Sequence, residues 1–322
     1  MTAPPAPLTE AEKAHFLEHG WIKLSNCFTK EQADHMTRDV WTRLGMDPHD
    51  KSTWTKKRVN MPMHWDYNSN DFAPKAWAAI CELCGGEDRV ADFSRRWRDS
   101  YIVNLGSPEG EGKIVPPHDL DGWHVDGDFF IHYLDSPEQA LLVIPLFTDI
   151  VPNAGGTLIC PEAIPKVAKH LYEHPEGVDP SMRTRDNPHF GVVDFRQTVS
   201  WFDQLARTCE HFVEVTGNVG DVFLLHPLML HAVANNTLRH VRIITNPPVA
   251  LKQPHCFDRP DGDFSLVERK TMLALGGEDK TKGWKATGPR EKITPKMWKA
   301  KEEMKQEEIR RLDAARKVQV AA

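Results

Sequence analysis

The sequence predicts a mainly β protein with flanking helices: a double-stranded β-helix core of the jelly-roll, cupin-like kind, N-terminal helices before it and a charged C-terminal helix after it. Short runs rich in Val, Ile, Leu and Phe recur from 101 to 249, and each is bounded by turn residues, as in Val151-Pro-Asn-Ala-Gly-Gly156 and Thr216-Gly-Asn-Val-Gly-Asp221. The segments before residue 100 carry helical spacing instead. Seven or more strands behind a helical lead fit two packed sheets better than a helix bundle or alternating β-α units.

A proline-rich lead precedes a helix over 8–17, with Thr9 as N-cap and Gly20 as stop. A short strand at 21–24 and a helix at 29–44 follow. Residues 47–75, with Pro48, Pro62 and Pro74 among polar residues, read as irregular. Helices are expected at 75–83 and 90–97. Strands are expected at 101–105, 123–130, 140–150, 156–160, 211–215, 221–230 and 240–249. These divide the chain into a helical support at 1–100, a core at 101–250 and a C-terminal extension at 251–322. Residues 161–208 interrupt the core with a helix at 163–172 and a polar loop, an insertion placed to cap a pocket mouth. The extension reads as loop, then a helix over 295–318. Residues 280–317 hold 13 Lys/Arg against 6 Asp/Glu. Glu302, Glu303, Glu307 and Glu308 interleave with Lys301, Lys305, Arg310 and Arg311, the pairing pattern of a solvated helix.

Net charge −6 gives no general reason to expect nucleic acid or an anionic membrane as partner. No long apolar run reads as a membrane span or a secretion signal. Cys81-Glu-Leu-Cys84 is half a zinc clamp without a second close pair, so the six cysteines read as free thiols. The expectation is a cytoplasmic protein acting on a small molecule, with a homo-oligomer left open.

Three His-x-Asp/Glu pairs occur: His64/Asp66, His124/Asp126 and His174/Glu176. Two residues apart on an extended chain puts both side chains on one face, where they can bind adjacent positions of one metal. His64 lies in a loop, and Pro175 breaks the third pair. His124/Asp126 enters a run of strands. In Asp221-Val-Phe-Leu-Leu-His226-Pro-Leu-Met-Leu-His231 two histidines compete as third ligand. Pro227 marks an edge or bulge beside His226, whereas His231 ends the run, so His231 completes the set. Two histidines and a carboxylate leave half an octahedron open, the arrangement of non-haem iron oxygenases. Arg242, amid Val and Ile eleven residues on, needs an anionic partner, which a small dicarboxylate supplies. An internal Asp or Glu is the competing partner.

Residues 8–24, Trp123-His-Val-Asp126, Val151-Pro-Asn-Ala-Gly-Gly-Thr157 and 220–231 followed by Arg242 together resemble the phytanoyl-CoA dioxygenase-like iron/2-oxoglutarate oxygenases over about residues 8–250. The resemblance implies Fe(II) at His124, Asp126 and His231, and 2-oxoglutarate with its distal carboxylate on Arg242. It adds Thr157 and Asn104 as co-substrate contacts and O2 as the oxidant. Members often carry Gln three residues before the first ligand; Asp121 stands there. Asp126, a true carboxylate, argues against halogenation. The chemistry implied is oxidation of a substrate C–H bond with release of succinate and CO2, by hydroxylation or by desaturation, cyclisation or rearrangement. His64, Trp65 and Tyr67, with Arg183 and Arg185, are candidates for the substrate rim. An amino-acid-derived or other specialised metabolite is the expected substrate class. A zinc hydrolase using the same three ligands and a non-catalytic binding barrel are the alternatives; the zinc reading leaves Arg242 unexplained.

Overall fold

The computed structural model describes residues 8–192, 200–295 and 297–321. The proline-rich lead 1–7 and residues 193–199 of the expected insertion lie outside the described residues. Helix α1 (Glu10–His19) forms as its sequence dictates. Thr9 and Glu12 exchange capping-box hydrogen bonds, and Gly20 closes the helix at φ 73° with its N–H on Phe16 O. Strand β1 (Trp21–Leu24) follows. The single helix expected over 29–44 is two, α2 (Lys30–Thr37) and α3 (Val40–Leu44), with the turn residues Arg38 and Asp39 between them.

The stretch read as irregular contains β2 (Arg58–Asn60), β3 (Asp66–Asn68) and α4 (Ser69–Phe72), then α5 (Pro74–Leu83). Three-residue strands are too short to show alternation, and their partners are distant in sequence. The helix expected at 90–97 is a tight turn followed by β4 (Arg96–Arg98), which pairs with β3 and buries Trp97 completely. The core strands are β5 (Ile102–Asn104), β6 (Leu142–Pro145), β7 (Thr157–Cys160), β8 (Val213–Glu214), β9 (Val222–Leu225), β10 (Leu230–Val233) and β11 (Arg242–Ile244). Between β7 and β8 lie α6 (Ile164–Glu173) and α7 (Trp201–Ala206); after β11 come α8 (Leu266–Ala274), α9 (Glu278–Thr281) and α10 (Met297–Ala321).

The antiparallel sheets β1-β9-β6 and β11-β5-β2 are joined by bridges Leu141–Val249 and Leu146–Ile244. Register then sorts the side chains. Ile22, Leu224 and Val143 lie in one row, and Val59, Val103 and Ile243 in another; both rows belong to the cluster that also holds Phe16, Ile80 and Val267 of the helices. The opposite face, with Leu142, Ile144, Phe223, Leu225 and Ile244, packs in a second cluster with Ile159 and Leu230 of the sheet β10-β7-β8. Helices thus cover one side of the joined sheets, and the second sheet covers the other.

Four further expectations are corrected. Residues 123–130 form no continuous strand but two isolated bridges, His124–His231 and Phe130–Lys292. The run 221–230 breaks into β9 and β10 on different sheets. Pro227 has no N–H to give a ladder, and Leu228 N–H is taken by His226 Nδ1 at 3.2 Å, so the chain turns and crosses. The C-terminal helix is not solvated throughout: Glu308 is 1% exposed, bonded to Arg43 Nε and His64 Nε2 at 2.8 Å each. Helix α8, with a Ser265/Glu268 capping box, stands where loop was expected. Among the described residues no helix is long and apolar enough to cross a membrane.

Candidate metal centre

His124 and His231 come together through their backbones. His124 N–H donates to His231 O at 3.0 Å and His231 N–H to His124 O at 2.9 Å. Residues sharing both bonds of an antiparallel pair carry their side chains on the same face, and the two rings stand 4.2 Å apart. Two residues on, Asp126 Oδ1 lies 3.6 Å from Nε2 of each ring. One ligand atom from each of the three falls within 4.8 Å of the others.

The ring nitrogens are assigned by their partners. His124 Nδ1 faces Gly122 O at 2.8 Å, and His231 Nδ1 faces Met229 O at 3.1 Å. A carbonyl can only accept, so Nδ1 carries a proton and Nε2 is the atom turned toward Asp126, where it can offer a lone pair to a metal or, when the ring is protonated, a hydrogen bond to Oδ1. Burial pushes the Asp126 carboxyl up, but the His231 hydrogen bond and the histidine charges outweigh it and hold it at about 2. Burial pulls His231 down, and Asp126 more than offsets this. Burial and the charge of His231 take His124 down to about 4, although 46% of its side chain faces the opening. Asn246 Nδ2 steadies the other Asp126 oxygen at 3.4 Å. Two imidazoles presenting Nε2 and an ionised carboxylate, with 20% of the carboxylate side chain exposed, form an oxygen–nitrogen donor set suited to a divalent first-row metal.

Arg242 sits on the sheet face that looks toward this cluster. Cross-strand register places Arg242, Asn104 and Arg58 in one row on β11, β5 and β2. Arg242 is 1% exposed. Its Nε donates to Gly155 O at 2.8 Å, and its Nη2 is buried with no partner. Burial, then repulsion from Arg58, draws it down to about 9 with slight relief from Glu214, so it stays charged at neutral pH. The competing expectation, an ion pair with a nearby carboxylate, is not met: among the described residues no carboxylate lies within 4.0 Å of Arg242. Gly155 sits at φ +76°, and a Cβ there would stand 2.4 Å from Asn104 Nδ2, so only glycine lets the carbonyl reach both side chains.

Asn104 is held on both sides: Nδ2 donates to Gly155 O at 3.2 Å, and Oδ1 accepts from Gly106 N at 3.1 Å. Thr157 lies opposite Val233 as Ile159 lies opposite His231, so Thr157 and His231 share a face. The rim candidates are each held by partners of their own. His64 is held by Glu308 and by Asp99, whose Oδ1 accepts its backbone N–H at 2.8 Å. Trp65 and Tyr67 pack on the cluster behind the joined sheets, and Tyr67 lines a surface cavity of about 530 Å³ with His35, Asp71 and Phe72. Arg183 pairs with Asp179 at 2.9 Å, and Arg185 bonds Glu176 O, Pro289 O and Glu291 at 2.6 to 3.0 Å. Sequence reasoning missed Arg58, whose only signal was a basic residue in a stretch without alternation, and Asn246, four positions past Arg242.

No family model matches the chain, and no curated protein matches it. Solved structures overlap it loosely. HygX from Streptomyces hygroscopicus, with nickel and 2-oxoglutarate bound, is 10% identical over 77% of this chain and 88% of its own, with TM-score 0.43. The non-heme alpha-ketoglutarate-dependent carbocyclase SnoK from nogalamycin biosynthesis is 16% identical over 76% and 84%, with TM-score 0.42. EctD from S. alaskensis, with 2-oxoglutarate and 5-hydroxyectoine, is 16% identical over 78% and 77%, with TM-score 0.41. Scores of this size leave the assignment to the geometry of the site.

Proposed function

We propose that this chain is an Fe(II)- and 2-oxoglutarate-dependent oxygenase that oxidises a C–H bond of a small molecule, built on a double-stranded β-helix core. The observation that carries the reading is the pairing of two features on facing layers. A His/Asp/His cluster has its Nε2 atoms aimed inward, and a buried guanidinium has one nitrogen lacking a partner. The zinc alternative accounts for the first and leaves the second idle.

In this reading His124, Asp126 and His231 hold the metal, and Arg242 takes the distal carboxylate of 2-oxoglutarate through its free Nη2. That contact satisfies the orphaned donor and neutralises a charge that burial otherwise penalises. Held by these residues, iron and 2-oxoglutarate would supply the oxidising chemistry with O2, one oxygen atom passing into succinate as CO2 leaves and the other serving the oxidation of the substrate C–H bond. The protein fixes distances: Gly155 O sets the angle of the Arg242 fork, Asn246 holds one carboxylate oxygen, and the apolar second cluster keeps water from the buried side. The exposed edge of His124 marks the side from which substrate approaches.

The test is succinate formation from 2-oxoglutarate by purified protein. The expected result is turnover that requires both Fe(II) and O2 and rises with the right small molecule. Hydrolytic activity with zinc, insensitive to O2 and without succinate, would replace this reading by the hydrolase.

A further inference from the structure

Asp126 sits on a turn rather than in a strand, so something other than a ladder must hold it. The next residue, Gly127, adopts φ +123°, and a Cβ there would lie 2.6 Å from the Phe130 ring and 2.7 Å from the His132 ring. Those rings stack at 4.4 Å, and His132 Nε2–H donates to Gly127 O at 2.7 Å. His132 is in turn fixed by a two-bond bridge to Val178 of the insertion, at 2.8 and 3.1 Å.

On the other edge the C-terminal extension pairs with the same segment. Ile293 N–H donates to Phe129 O at 2.8 Å, and Ile131 N–H to Glu291 O at 3.0 Å. This strap is riveted to the insertion and its surroundings. Tyr133 Oη donates to Pro289 O at 2.7 Å, Arg290 pairs with Asp135 at 2.7 Å, and Arg185 reaches Pro289 O and Glu291 at 3.0 Å each. Gly288 lies so close to Glu176 O that a Cβ would stand 2.0 Å away.

We propose that His132 and the strap at 289–293 form a clamp that positions the Asp126 turn, making His132 and Ile293 positioning residues of the metal centre and giving the C-terminal extension a working part in the site. This rests on the reading of His124, Asp126 and His231 as metal ligands. His132 acts through the Gly127 carbonyl, one peptide from the ligand. Ile293 acts through its backbone N–H on Phe129, three residues from it. The insertion and the extension meet on this one turn, so both bear on a single task. Arg185 belongs to the clamp.

The experiment uses the full-length protein freed of metal by chelation and measures two quantities, Mn(II) affinity by calorimetry and the melting temperature of the metal-free protein. His132→Ala and Ile293→Pro, the second removing the N–H donor together with the isoleucine side chain and local backbone freedom, are each expected to weaken Mn(II) binding by about 10- to 100-fold. His132→Gln, which can again donate to Gly127 O, is expected to recover most of that loss. Thr9→Ala, which removes the capping box of α1, is the control: it lowers the melting temperature and leaves Mn(II) affinity near the parent's. Parental Mn(II) affinity in both His132→Ala and Ile293→Pro overturns the clamp and leaves the metal reading standing. The clamp is equally overturned if Thr9→Ala loses as much affinity as they do, because the effect then follows stability alone. A parent that binds no Mn(II) overturns the metal reading, and the clamp with it.

Discussion

Arg242 keeps its charge at 1% exposure, beside Arg58 and with an unpartnered nitrogen. Two opposite effects of its removal follow. Arg242→Met should weaken 2-oxoglutarate binding by about 2–4 kcal/mol, or about 30- to 1000-fold, as loss of a desolvated charge partner does. The same change should leave the metal-free protein as stable as before or more so, because an apolar side chain of similar volume replaces an unpaired buried cation. Calorimetric titration with 2-oxoglutarate and urea denaturation read the two separately. A loss of stability without a loss of affinity would mean that Arg242 holds the fold rather than the co-substrate. At this scale the convergence of His124, Asp126 and His231 was legible because residues two apart on an extended chain share a face, and an arginine among Val and Ile stands out. The partners of the expected rim residues were not legible. His64, Trp65 and Tyr67 are polar or aromatic residues whose roles depend on partners such as Glu308, 244 positions away from His64.

The element with the most to lose from one substitution is α10. Arg43 is 3% exposed and Glu308 2% by side chain; Arg43 also bonds Asp99 at 2.9 Å and Pro62 O at 2.6 Å. Glu308→Ala leaves a buried guanidinium short of a partner and should cost about 3–5 kcal/mol in urea denaturation. A change below about 1 kcal/mol would mark the pair as no stronger than a surface bridge. Thr9→Ala, which removes the α1 capping box, should cost about 1 kcal/mol by the same measurement. Helix α1 was legible down to its cap because every signal is local: Thr9, Glu12 and Gly20. The docking of α10 was not, since an alternating Glu/Lys/Arg pattern describes a solvated helix and one buried Glu308 does not disturb it. Strands β2 and β3 were invisible for a related reason: at three residues, pairing and not alternation defines them.

For the molecule as a whole, buried neutral histidines set the acid limit of stability. Burial, then the nearby Lys270 and His255 charges, takes His226 from its ordinary 6.5 to about 3, and burial takes His132 to about 4. Unfolding returns both to ordinary values, so between about pH 6.5 and 4 the unfolded chain binds more protons than the folded one. Their contribution is intact above pH 6.5 and falls as pH drops, by up to about 1.4 kcal/mol per pH unit for each. His226→Gln should flatten that slope in chelator-treated protein; an unchanged slope would place the acid sensitivity elsewhere. The layered arrangement of sheets and helices was readable from turn spacing and apolar runs. The crossing at His226-Pro227 was not, because an unbroken apolar run looks the same whether it stays on one sheet or turns onto another.

Diffraction from crystals soaked with Mn(II) and 2-oxoglutarate, recorded to locate the metal by its anomalous signal, bears most directly on the site. The expected map has one strong peak bonded to His124 Nε2, Asp126 and His231 Nε2, with the dicarboxylate reaching from it to Arg242. A peak bonded to other residues, or a dicarboxylate bound away from Arg242, would contradict the assignment.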